Sequence, residues 1–260
     1  MKNVVYIVLY LSICVCQSKH RCALIESVRD DRPEMHASLV SHKGNFMIHY
    51  DTLGVRAPLD VIGSDSDYIN EVAIAAEYGR EILIDTLGYH PEIPDEDAVY
   101  DIYVTNFNDG YYGVNIHEGN GVSYIKIDND YLEGFYTSGL LVMRLTVAHE
   151  YFHAVQRWYQ EISGSEGYFF ELSSTWLEDL VVPDGDDYLY WVDDLFNHPE
   201  KEFDSFTSET GYSLALYGHY LSNMVEKVSH PFQNTIIREV WEGIKEGKTT
   251  LESLQNILDN

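Results

Sequence analysis

The sequence predicts a mixed α+β fold, and three observations predict it. Segments with the two-residue alternation of β-strands fall in the first half of the chain, at residues 45–50, 98–105 and 123–128. From residue 138 onward, apolar residues recur at helical spacing instead. The 260 residues contain no internal repeat and no linker-like stretch. We therefore expect one domain, with a sheet-containing part followed by a helical part.

Two helices stand out among the predicted elements. Residues 67–87 carry an apolar stripe at helical spacing, which Gly88 ends. Residues 138–162 are predicted as one long helix, apolar nearly all round in its first half, as is typical of a helix buried in a core. Residues 110–121 are rich in glycine and are predicted as turns. Shorter helices are predicted at 169–181, 188–196, 212–228, 231–246 and 250–258.

The first 18 residues have the features of a secretory signal peptide. Lys2 supplies the positive charge, and residues 4–15 form a nearly unbroken apolar run that small residues follow. This pattern predicts a secreted, extracellular protein, and an uncleaved membrane anchor is the alternative reading. No later segment is long and apolar enough to suggest membrane insertion.

The remaining chain divides into a lead-in and a domain. Residues 19–44 are polar and predict an extended lead-in or a short propeptide. The domain is expected at residues 45–260, with a sheet-containing lobe at about 45–160 and a helical lobe at about 161–260.

Charge and cysteine content restrict the partners and the covalent chemistry. A net charge of −27 argues against nucleic acid and anionic membranes, because both would be repelled. Cys22 is the only cysteine after the leader, so no internal disulfide can form. It is a free thiol, an intermolecular thiol or a cap on a metal in a latent form.

Asp65 and Asp67 lie in an acidic segment that could bind Ca²⁺, and a helix N-cap is the alternative interpretation.

Residues 149–153 carry the motif that indicates chemistry, HExxH, here written HEYFH. Residues four apart are neighbours on a helix, so His149 and His153 can reach one metal ion. Glu150 lies beside them, where it can deprotonate a water that the metal activates. All three continue a helix with an apolar first half, and polar groups there are costly unless they are satisfied. A bound metal would satisfy all three.

A zinc site of this kind needs a third protein ligand and an open position for water. A third histidine is not available at the usual spacing, because the chain has Gln156 and Tyr159 where that pattern needs glycine and histidine. Glu171 is the predicted ligand, since it lies 18 positions after His153 on the next predicted helix and precedes small residues. Glu178 and Asp179, nearer the end of that helix, are expected to face water or to support the ligands from outside.

These segments together resemble the glutamate-type zincins, and more closely a group of secreted metalloprotease-like proteins best known from myxobacteria. The resemblance covers roughly residues 22–241. It implies a zincin-like fold and one catalytic zinc. The matching segments are NFMIHYDTLG at 45–54, LGYHPE at 87–92, YDIYV at 100–104, YYG at 111–113, SYIKIDNDY at 123–131, TVAHEYFHAVQ at 146–156 and STWLED at 174–179.

The resemblance implies a peptidase that cleaves peptide or protein substrates. Glu150 would be the general base, and Tyr212, Tyr217 or His219 would stabilise the oxyanion. The strand at 123–131 would lie at the sheet edge and pair with an extended substrate. One departure is Thr175, where thermolysin-like members place an aspartate that orients the first histidine. The competing hypotheses are a non-catalytic secreted module on the same fold and a binding protein that uses its 21 tyrosines as a recognition surface.

Overall fold

The structure is a computed structural model that describes residues 22–25, 32–58, 65–107, 111–131, 137–160, 166–207 and 210–259. For residues 22–25, 65, 66 and 194 it describes the main chain only. The predicted signal peptide at residues 1–18 lies outside these residues. The described chain is mixed α+β, as the sequence predicts.

One six-stranded mixed sheet organises the fold, with the strand order β1-β5-β6-β4-β3-β2. β3, β4 and β6 run parallel to one another, whereas β5 and β2 are antiparallel to their neighbours β6 and β3. β1 pairs parallel with β5 at the outer edge. The strands are β1 (Cys22–Ile25), β2 (Ala37–Val40), β3 (Phe46–Tyr50), β4 (Tyr100–Thr105), β5 (Gly113–Gly119) and β6 (Val122–Asp128).

Three of the sheet's strands, β1, β2 and β5, were not predicted as strands from the sequence. The glycine-rich residues 110–121, predicted as turns, supply β5. Gly113 lies inside this strand because a side chain there would collide with the helix that holds Thr146 and Glu150. This glycine therefore lets the strand pack close to the helix and does not form a turn. The turn itself is confined to residues 119–121, all at positive φ. Within the lead-in predicted at residues 19–44, the described residues form β1 and β2, which lie at opposite edges of the sheet.

Helices α1 and α2 pack on one face of the sheet. α1 (Asp65–Arg80) continues as a π-helical segment, Glu81–Thr86, and α2 is the predicted long helix at Leu140–Tyr159. α2 is buried on nearly all sides because it lies between the sheet and the helical half of the chain. A smaller apolar cluster, which includes Val114, Ile116 and Tyr124, covers the opposite face.

The described part of residues 161–260 is helical. α3 and α7 match the predicted helices closely, whereas the predicted helix at 212–228 divides into 3₁₀, α and π segments. The α-helices are α3 (Gly167–Val181), α4 (Val192–Asn197), α5 (Ala215–Tyr220), α6 (Ile236–Lys245) and α7 (Thr250–Leu258). Within the residues described, no helix combines the length and apolar character required to cross a bilayer.

Glu77 of α1 fastens the helix to the connection between β2 and β3. It is 1% exposed and accepts hydrogen bonds from the Ser41 hydroxyl, from the Asn45 backbone N–H at 3.2 Å and from Asn45 Nδ2 at 2.7 Å. Burial would raise the pKa of the Glu77 carboxyl, but these donors outweigh burial and lower the pKa below its ordinary 4.5.

Replacing Glu77 with glutamine removes the charged acceptor from these donors. We expect the free energy of unfolding to fall by about 1–3 kcal/mol at pH 7. Because the pKa of Glu77 is lowered in the folded state, its contribution is present above pH 4.5 and is lost as the pH falls below that value. Urea unfolding at pH 7 and pH 3 should therefore show a smaller difference between variant and wild type at pH 3.

The control for this measurement is Glu81→Gln, because Glu81 pairs with Lys43 at the surface and its side chain is half exposed. That change should alter the unfolding free energy by less than about 1 kcal/mol. Equal effects of the two substitutions at both pH values would contradict the role assigned to Glu77.

Candidate metal centre

The candidate centre lies between α2 and α3, which pack antiparallel. The antiparallel course follows from the contacts, since His149 meets Glu178 while Gln156, seven residues later, meets the earlier residue Phe170. Ser173 and Ser174 face α2 at the crossing, where their small side chains let the two helices approach closely. Both helices are buried in the core, so the groups between them have little contact with water.

His149, His153 and Glu171 converge within this interface. Nε2 of His149 lies 3.1 Å from Glu171 Oε2, and Nε2 of His153 lies 3.7 Å from the same oxygen. The three ligand atoms all lie within 4.8 Å of one another, and the side chains are 1%, 0% and 1% exposed. Nε2 of His153 is buried and makes no hydrogen bond. This group could hold one metal ion, and the sequence predicts all three of its members.

A second layer of side chains fixes the orientation of both imidazoles. Nδ1 of His149 is 2.6 Å from Glu178 Oε1, and a carboxylate there can only accept, so Nδ1 carries the proton. Nδ1 of His153 is 2.7 Å from Gln156 Oε1. The amide nitrogen of Gln156 donates to the Phe170 carbonyl and to two serine hydroxyls, each at 3.0 Å. This fixes the amide so that its oxygen faces His153, and both histidines can present Nε2 to a metal.

Hydrogen bonding shifts the proton affinities within the centre. Burial would lower the pKa of His149, but the hydrogen bonds with Glu171 and Glu178 outweigh it and raise that pKa to about 9. Burial would likewise raise the pKa of Glu171, but the charge of His153 and the hydrogen bond with His149 lower it to about 2. In the metal-free protein at neutral pH, His149 is therefore protonated between two carboxylates, and a metal must displace that proton.

Glu178 orients His149, the role that an aspartate at the position of Thr175 has in thermolysin-like proteins. Thr175, four positions after Glu171, is buried but is not the residue that bonds His149. Glu178, seven positions after Glu171, lies on the same face of α3 two turns later and takes that role. Glu178 therefore does not face water. The sequence did not identify Gln156 as a partner of His153, although its i+3 spacing on the same helix was a usable signal.

Of the three predicted oxyanion candidates, Tyr212 lies against the metal group. Its ring centroid is 5.9 Å from that of His149, and the residue is 3% exposed. Tyr217 instead packs against Phe203 and Tyr220. Nε2 of His219 lies 3.0 Å from Oδ2 of Asp179, so His219 pairs with Asp179 of α3.

Glu150, the predicted general base, is fully buried on α2 next to the start of β5. A Cβ at Gly113 would lie 2.9 Å from Glu150 Cγ and 2.6 Å from Thr146 Cγ2, so only glycine allows β5 to approach this closely. The carbonyl of Glu150 also accepts a hydrogen bond from Asn115 Nδ2 of β5 at 3.2 Å. β5 is therefore the strand fastened directly to the candidate centre.

The predicted calcium site gains no support from the described residues. Asp67 is an exposed residue in the first turn of α1, and the side chain of Asp65 lies outside the described part. Among the described residues, His149, His153 and Glu171 form the one group of three or more side chains that could hold a metal.

Comparison of the chain with known proteins identifies no family. No protein-family model matches the sequence, and no curated protein matches it significantly. The similarity to glutamate-type zincins therefore stays a prediction from the sequence motifs.

We expect the purified chain to bind one divalent metal ion per molecule, and alanine at His149, His153 or Glu171 to abolish that binding. Because the metal displaces the proton held by His149, its apparent affinity should rise about tenfold per pH unit between pH 6 and 8. Metal analysis and calorimetry in buffers of different ionisation enthalpy measure both effects. His219→Ala removes a histidine outside the group and should retain the metal. A metal-free wild type would refute the site.

Replacing Glu178 with glutamine keeps the shape of the side chain but removes the carboxylate that orients His149. The metal affinity should fall by about 10- to 100-fold. The matched control is Asp179→Asn, one position along α3, where the side chain faces His219 instead. Competition with a chromophoric chelator measures both variants. Equal affinities of the two variants would contradict the orienting role of Glu178.

Proposed function

We propose that this chain is a zinc-dependent peptidase. The observation that carries the proposal is the convergence of His149, His153 and Glu171, with each imidazole oriented through Nδ1. Two histidines and one carboxylate form a ligand set of catalytic zinc sites, whereas structural sites are usually filled by four protein ligands, most often including cysteine. The signal-like residues 1–18 favour a secreted enzyme.

The two separations that involve Glu171 suit a zinc ion. Metal–ligand distances of about 2.0–2.2 Å at tetrahedral angles place two donor atoms roughly 3.3 Å apart. The separations of 3.1 and 3.7 Å between the histidine nitrogens and Glu171 Oε2 lie on either side of that value. When bound, zinc supplies Lewis-acid chemistry, which lowers the pKa of a water ligand to about 7 and polarises a carbonyl.

The protein side chains supply the remaining steps of peptide hydrolysis. Glu150 accepts a proton from the attacking water and passes it to the leaving amine. Glu150 is buried beside His149, one position along the same helix, so its carboxylate is kept out of bulk water. Tyr212 is the preferred donor to the developing oxyanion, since it is the candidate that packs against His149. Glu178 and Gln156 hold the imidazoles in place.

We propose a substrate-pairing strand other than β6, the strand that the sequence suggests. β6, within the predicted segment 123–131, lies between β5 and β4 in the interior of the sheet, so its edges are already paired. β5 is the strand beside the centre, and its side away from β6 is paired only with the four residues of β1. We therefore assign the pairing of an extended substrate to β5.

A non-catalytic protein that holds a metal is the second candidate, and one observation favours it. The ligands and Glu150 are at most 1% exposed, and closed surroundings are typical of structural metal sites. A protein that recognises ligands through surface tyrosines is less consistent with the structure. At least eleven of the 21 tyrosines are buried.

Replacing Glu150 with glutamine separates the two candidates. The variant should retain zinc, because Glu150 is not a ligand, yet it should lose chelator-sensitive cleavage of fluorescent casein by about 10²- to 10⁴-fold. Glu200→Gln, at an exposed position remote in sequence from the motif, should cleave as the wild type does. Zinc retention together with undiminished cleavage in Glu150→Gln would show that the general-base assignment is wrong.

A further inference from the structure

The closed state of the centre needs an explanation if the chain is a peptidase, and the following inference rests on that proposed function. His149, Glu150, His153 and Glu171 are each at most 1% exposed. A peptide bond must reach the water beside Glu150, so some part of the protein must move or leave before a substrate can bind. The strand that lies outermost on the side of the centre is β1.

β1 occupies the edge of β5 at the position nearest the centre. The two strands pair in register from Cys22 opposite Gly113 to Ile25 opposite Ile116. Gly113 is the residue whose Cα packs against Glu150, and paired strands lie about 4.8 Å apart. The main chain at residue 22 therefore passes within one strand spacing of the residue that contacts the general base.

β1 is an addition to a sheet that is complete without it. Removal of β1 leaves the order β5-β6-β4-β3-β2 with every remaining strand paired. Its four residues pair on one side only and in parallel, the slightly weaker arrangement per residue. A short strand of this kind belongs to the least stable part of a fold and can be exchanged for another extended chain.

A cluster of ion pairs holds the chain at Arg32, seven residues after the end of β1. Arg32 makes a bidentate contact with Glu118 of β5, with Nε–Oε1 at 3.0 Å and an Nη–Oε2 distance of 2.7 Å. It also pairs with Asp95 at 2.7 Å and with Asp101 of β4. The Arg32 side chain is 29% exposed, so these pairs are accessible to salt and weaker than buried ones.

We propose that β1 is an inhibitory segment that occupies the substrate-pairing edge of β5 and keeps the metal centre closed. Its main chain takes the hydrogen bonds that an extended peptide would make, and Arg32 fastens the segment to the sheet through Glu118. Displacement of β1 frees the edge and opens the centre. β2, on the opposite edge, stays in the sheet.

The test uses the full-length chain with Ala23→Pro and Leu24→Pro, which together remove β1 backbone donors and disfavour the paired geometry. Amides of Val114 to Ile116 should lose hydrogen-exchange protection, while those of α2 and α3 keep it. Extraction of zinc by a chelator should accelerate at least tenfold, and chelator-sensitive casein cleavage should rise by a similar factor. A synthetic peptide of residues 21–28 should reverse both effects, and a scrambled peptide should not.

Two single variants identify what holds the segment. Arg32→Ala should accelerate zinc extraction to an intermediate degree, because it removes the ion pair with Glu118 but leaves the main-chain pairing of β1 with β5 intact. Cys22→Ser should leave the extraction rate unchanged, because the proposal assigns inhibition to main-chain pairing. Activation by Cys22→Ser equal to that of the double proline variant would overturn the proposal in favour of a thiol that caps the metal.

The outcomes distinguish this proposal from the proposed function. If β5 loses protection while zinc extraction and cleavage stay as in the wild type, β1 is not inhibitory, and the peptidase assignment is decided by Glu150→Gln alone. If extraction accelerates but no form of the chain cleaves casein, β1 does cover the centre and the peptidase assignment is wrong.

Discussion

The contact between α2 and α3 carries a set of buried polar groups that must satisfy one another. His149, His153, Gln156, Glu171 and Glu178 are each at most 1% exposed. A single unpaired charge in such surroundings costs several kcal/mol, so none of these side chains is tolerable without its partners. The hydrogen bonds that Nδ1 of His149 donates to Glu178 and that Nδ1 of His153 donates to Gln156 meet that requirement. The crossing of the two helices is therefore set by polar pairing as much as by apolar packing.

Three glycines let the neighbouring elements pack closely against α2 and α3. A Cβ at Gly113 would lie 2.6 Å from Thr146 of α2, and one at Gly211 would lie 2.6 Å from the Tyr168 carbonyl of α3. At Gly218 a Cβ would meet that of Trp176 at 3.0 Å. None of these three glycines has a positive φ. Glycine is therefore needed at these positions because there is no room for a side chain, and not because of its backbone conformation. Gly113 brings β5 to Glu150, and Gly211 brings the segment that carries Tyr212 to Glu171.

This use of glycine also explains which parts of the fold the sequence could predict. Local periodicity is sufficient for α2 and for β4, and HExxH places its two histidines by spacing alone. β5 was not predicted because, in the sequence alone, a glycine that lets two elements pack closely looks the same as a glycine that forms a turn. The pairing of β1 was beyond prediction, because its partner lies 91 residues away at Gly113 and no local pattern encodes it. Glu178 was ambiguous for a related reason, since its role depends on how α3 crosses α2.

Without a metal, the polar groups of the centre already pair with one another. With its pKa raised to about 9, His149 donates from both ring nitrogens at neutral pH, to Glu171 and to Glu178. The pairings that a metal would complete are thus largely made already, so the metal-free chain can reach the same helix crossing. A metal would then replace the proton of His149 within a ligand group that is already assembled, and it would not be required to nucleate the fold. An ion would need an opening to reach this buried group. If the chain is the peptidase that we propose, access to the centre, more than assembly of its ligands, is the step that the surrounding strands would control.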